Sequence, residues 1–230
     1  MSHVLRTANP TMNADIGELA ERWGPPTDAV PITDVQPARW RGVASDLLLA
    51  YWREDGFAGF MEGRFWLSDP DYWQPAVDAW TEGLQLPHEQ WIALHRSAFS
   101  DIEIVGLRMG STLSVTEQYG WVVLKDRSDR SVSDDRCNHL IYVALMSASP
   151  DSVDLCGFDN ARLFDRVCAL RGPVGSDHVY GFVLALGLGG SLSPGRAHIF
   201  SARLHLELLA DVADRRVVDR AALLHIWTGT

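Results

Sequence analysis

Several short groups of glycine, serine, histidine and aspartate in this chain approach the spacings that chemistry uses. The stretch YGFVLALGLGGSLSPG, Tyr180 to Gly195, sets Gly187 and Gly189 at the first two positions of G-x-G-x-x-G. In that pattern glycines let backbone amides approach a pyrophosphate. Leu192 holds the third glycine position. A phosphate loop needs a lysine after its glycine, and the only lysine is Lys125. A nucleophile elbow, G-x-S-x-G, fits Gly189 and Ser191 and fails at Ser193. The residues alone therefore describe an apolar segment ending in a tight turn.

The other groups fare similarly. HEQWIALH offers His88 and Glu89, but a zinc helix needs its second histidine at Ile92, and the next is His95. His198 and His205 have no third ligand spaced to help them. Asp177-His178 suits an acid–base pair or, before an apolar strand, a cap or turn. Cys168 falls on the apolar side of a helix and reads as core. The tryptophans from Trp52 to Trp91 have helical spacing and acidic surroundings, which favours packing over base stacking. The expectation is a protein that is not an enzyme, with no metal site and no cofactor.

The elements that would position these residues follow from periodicity and punctuation. Residues 1–14 read as a loose leader. IGELAERWG is a short helix ending at Gly24, and PPTDAVPITDVQP is extended or turn-like. SDLLLAYWRED is a helix capped by Ser45 or Asp46, followed by a hairpin turning near Glu62-Gly63. Asp69 and Pro70 open another helix, with Trp73, Val77, Trp80 and Leu84 on one face. Pro75 conflicts with that helix, which either starts twice or begins at Pro75. WIALHRSAF, IEIVGLR, TLSV and GWVVLK form an antiparallel meander. Asp126 to Asp135 is a polar linker, and DDRCNHLIYVALMSAS, DNARLFDRVCALRG and RLHLELLADVAD are helices. The second of these has Asp159 or Asn160 as cap and Gly172 as stop.

Bulk properties narrow the function. A chain of 230 residues, 47% hydrophobic with nine Trp, has enough apolar surface for a core. The three cysteines form no C-x-x-C pair, which suits a reducing cytoplasm, and no apolar run is long enough to span a bilayer as a helix. The net charge is −10, and Ala44 to Glu103 holds 11 acids against 3 bases. Such a field repels phosphate backbones and attracts basic partners. Direct nucleic-acid binding and membrane association are not expected.

One stretch, YWREDGFAGFMEGRFWLSDPDYWQPAVDAW, joins a helix rich in Tyr and Trp to a Gly/Phe hairpin, D-P-x-x-W and a closing Trp80. A second, LFDRVCALRGPVGSDHVYGFVLALGLGG, is followed by HLELLADVA. Together they resemble bacterial type VI secretion immunity proteins, built from an N-terminal GAD-like domain and a C-terminal immunity domain. The chain departs from the family pattern at Ser100 (for Gly), Arg171, His178 and Leu184. The resemblance implies an α+β fold. Residues 15–125 would form a GAD-like domain of helices and an antiparallel meander, and 126–230 a mostly helical immunity-type domain. It also implies binding of a cognate toxin, typically a DNase with a basic cleft, by occluding its active site or blocking its assembly. Acid density selects Glu54, Asp55, Glu62, Asp69 and Asp71 as the toxin-binding face. The alternative is a small-molecule binder or enzyme with a pocket between the two halves.

Overall fold

The computed structural model describes residues 21–33, 35–41, 43–108, 110–116, 120–126, 139, 141–145 and 163–219. The expected leader, most of the linker, Cys137, Cys156 and the caps Asp159 and Asn160 lie outside the described residues.

The class is α+β, centred on one large sheet. Its strands are β1 (Asp28–Val30), β2 (Phe57–Phe60), β3 (Phe65–Leu67), β4 (Trp91–Ser97), β5 (Ile102–Gly106), β6 (Thr112–Thr116), β7 (Trp121–Asp126) and β10 (Arg216–Asp219), adjacent in that order. Neighbours are antiparallel except β10, which pairs parallel to β7. Between β7 and β10 come α4 (Leu163–Arg171), the hairpin of β8 (His178–Phe182) and β9 (Ala197–Ser201), and α5 (Ala202–Val212).

Strand alternation divides the central sheet into two buried faces. In β4, Ile92 and Leu94 enter one core while Trp91 and Ala93 enter the other. The first core is covered by α1 (Val35–Trp40), α2 (Asp46–Asp55) and helical residues 141–145. The second is covered by α3 (Pro70–Thr81) and α5, whose Trp80 Nε1 donates to Leu206 O at 3.0 Å. Helices on both faces explain why all of β4 and β5 is buried and why neither strand shows polar alternation. A third core joins Phe99 to Phe164, Val167, Tyr180 and Phe182.

Local chemistry sets the helix ends. The Ser45 side chain, not Asp46, accepts the Leu48 N–H. Asp69 Oδ1 accepts from the backbone of Asp71 and Tyr72, with Pro70 in the first turn. α3 is one continuous helix through Pro75, which sits on its exposed face. The stretch expected to be extended contains β1 and then α1, because Pro37 falls in the first helical turn, where its missing N–H costs nothing.

The glycine-rich stretch that opened the chemistry is a tight, half-exposed turn. Leu186–Leu188 form a 3-10 turn, and a Cβ on Gly190 would stand 1.7 Å from Leu184 O. Upstream, Gly181 leaves room for the His205 ring, which stacks on Phe200 at 4.7 Å between centroids. The Tyr-Gly-Phe and His-Leu parts of the C-terminal motif thus meet as one packing unit.

Candidate functional site

The β2–β3 hairpin decides where the five predicted acids go. Its ladder pairs Gly59 with Trp66 and Phe60 with Phe65. That register brings the residues before Phe57 and those after Leu67 to the same open end. Glu54 and Asp55, at the end of α2, and Asp69 and Asp71, at the start of α3, flank that end. Glu62 lies at the opposite, closed end, in a turn where Met61, Glu62 and Gly63 all have positive φ.

The open-end acids differ in their surroundings. Glu54 is exposed. Asp55 beside it is half-buried, and burial, then the Glu54 charge, push its carboxyl up to about 6. Asp69 is engaged as the α3 cap, and Asp71 pairs with Arg39 at 2.7 Å. At the closed end the turn docks on α4. Arg64 reaches Asp165 and lies 4.6 Å over the Phe164 ring, while Glu62 faces Cys168. Of the five acids that sequence reasoning selected, four flank the open end of the hairpin and Glu62 lies at the closed end.

A buried arginine anchors this region to the C-terminal half. Arg96 on β4 lies between the rings of Trp66, at 5.1 Å, and Trp73, at 5.3 Å. It donates to the carbonyls of Ser97, Gly175 and Ser176. Burial lowers its affinity for the proton to about 9, still protonated at neutral pH. Its sequence position marked it only as a strand residue.

Next to this clasp, at the open end of the hairpin, is a cavity of about 200 Å³. Val30, Phe57 and Leu67 form apolar walls together with Trp66 and Trp73. Asp69, Tyr72 and Asp177 contribute its polar edge. Burial, then the Asp177 charge, raise the Tyr72 phenol further above its ordinary range, so it stays a hydrogen-bond donor. Asp177 Oδ1 is 2.6 Å from His178 Nδ1, so the pair read as acid–base or cap residues stands beside the cavity.

Other titratable groups are structural in their contacts. Glu103 accepts from Ser114 and, at 2.7 Å, from Lys125. Burial, then the Lys125 charge, lower the His95 imidazole to about 3. Neither Glu103 nor His95 lines the cavity. Among the described residues, no three of His, Cys, Asp and Glu are grouped to hold a metal ion, and no helix is long and apolar enough to cross a membrane.

Sequence reading missed one surface. On α5, Ala202, Leu206, Leu209 and Ala210 are buried, while Leu204, Leu208 and Val212 are 55%, 64% and 57% exposed. Their i, i+4, i+8 spacing makes an apolar stripe facing outward. The available signal was an excess of leucine in RLHLELLADV over what one helix face can bury.

Comparison with known proteins agrees with this architecture. No curated protein matches the chain. Among solved structures it is similar to the crystal structure of Atu4351 from Agrobacterium tumefaciens, with a TM-score of 0.76. The two share 20% identity over 87% of this chain and 90% of that one, a likeness of fold. The family described as GAD-like domain matches residues 15–119. Strands β7 and β10 extend the sheet beyond the segment that matches this family model.

Proposed function

We propose that this protein is an immunity-type binding protein that neutralises a cognate secreted toxin, a nuclease delivered by type VI secretion, without catalysis of its own. The carrying observation is the acidic open end of the hairpin within the GAD-like domain. Glu54 and Asp55 close α2 and Asp69 and Asp71 open α3 at that end, and Asp69 lines the aromatic cavity. A nuclease cleft is basic because it holds phosphates, and a complementary acidic surface speeds encounter and covers the cleft. The chain would act in the cytoplasm, where an incoming nuclease meets DNA.

Growth rescue tests the reading. Co-expression with the toxin encoded beside it should restore growth, and the two proteins should co-purify. Toxicity that persists despite good expression of this chain would overturn the pairing. Reversing charge with Glu54→Lys and Asp55→Lys together should slow association about tenfold at low salt and flatten its salt dependence. An unchanged rate would move the contact elsewhere, with the α5 stripe next to test. The cavity favours a second reading, a small-molecule binder, which a ligand-dependent rise in Tm would support.

A further inference from the structure

Opposite charges stand around the cavity. The Arg96 guanidinium lies over both indole walls, at 5.1 Å from Trp66 and 5.3 Å from Trp73, and does not itself line the cavity. Its hydrogen-bond partners are neutral carbonyls, so its positive charge persists beside those walls. Asp69 and Asp177 bring negative charge to the edge. A cation therefore meets indoles that are already engaged and a like charge close to them. An anion meets two carboxylates and gains no guanidinium contact. An uncharged group avoids both penalties, together with the cost of carrying a charge between apolar walls.

Size and edge chemistry narrow the class. The volume of about 200 Å³ exceeds the ~150 Å³ that admits benzene to an apolar cavity, which leaves room for one ring and a small substituent. Phe57 and Leu67 offer that ring apolar contact. At the edge, the Asp177 carboxylate has about four acceptor sites, of which His178 Nδ1 takes one. The Tyr72 hydroxyl is a donor at the same edge. A ligand hydroxyl can donate to the carboxylate and accept from the tyrosine, which neither an amine nor a hydrocarbon does at once.

We propose that this cavity binds a small uncharged ring compound bearing one hydroxyl, of the phenol class, with its ring among the apolar walls and its hydroxyl at Asp177 and Tyr72. The inference rests on the small-molecule reading of the cavity given above and is independent of the toxin pairing.

The experiment titrates p-cresol into the full chain at neutral pH and follows the indole N–H resonances of Trp66 and Trp73. Toluene, benzoate and benzylammonium at matched ionic strength serve as apolar, anionic and cationic comparisons. Saturable shifts with p-cresol, about tenfold tighter than with any of the three, are expected. Asp177→Asn should bring p-cresol to within a few-fold of toluene and leave toluene itself unchanged, which also reports an intact cavity. If that variant loses toluene as well, the comparison on the native chain decides alone. Equal binding of toluene, or tighter binding of benzoate or benzylammonium, would overturn the phenol class while sustaining the small-molecule reading. No saturable shift with any of the four would overturn both.

Discussion

Ser100 stands where the resembled family carries glycine, and its backbone shows why glycine suits the position. Its φ is 70°, in the left-handed region, and its side chain is fully buried. The Ser100 hydroxyl also has no hydrogen-bond partner. A Cβ there is strained, and a buried unpaired hydroxyl adds a desolvation cost. Ser100→Gly should raise stability by about 1 kcal/mol, read as a shifted midpoint in urea with unchanged slope. His205 offers a second test. Burial lowers its imidazole from 6.5 to about 4. Between those values the unfolded chain holds the extra proton, so this residue's contribution falls as pH drops through that window. His205→Gln should be less acid-sensitive than the native chain by up to about 1.4 kcal/mol per pH unit from pH 6.5 to 4, measured by denaturation at each pH.

Elements with local signals were legible in the sequence, and those closed by distant partners were not. The hairpin, the Ser45 and Asp69 caps and the β4–β7 meander declare themselves within a few residues of chain. The strands β1 and β10 are three and four residues long, too short for a periodic pattern, and each exists through its pairing with β2 or β7. The same holds for the site. Acid density singled out this stretch, and the register of β2 on β3 sorts Glu62 from the other four. The cavity requires Ser176 and Asp177 from the far half, which no local pattern announces. The hairpin turn itself makes a sharp prediction. Gly63 has φ 88°, and a Cβ on it would stand 2.5 Å from the Val174 carbonyl oxygen. Gly63→Ala should cost about 2–4 kcal/mol and speed amide exchange in residues 163–182.

At the scale of the whole molecule, the two sides of residue 126 share one core. Trp80, Ile104 and Leu113 pack in the same cluster as Val179, Leu206 and Leu209. A fragment ending at Asp126 should therefore expose that face, bind a hydrophobic dye and lose cooperative unfolding, whereas the full chain unfolds in one transition. The late strand β10 also sets a schedule for synthesis. Trp121 of β7 finds its partner, Arg216, only after α4, β8, β9 and α5 have been made. At ~5–20 residues per second, translation leaves the β7 edge unpaired for on the order of ten seconds. Over that interval the nascent sheet presents a free hydrogen-bonding edge. The full sheet is thus completed only once α4, β8, β9 and α5 have been made, which makes chaperone demand during synthesis a built-in property of this topology.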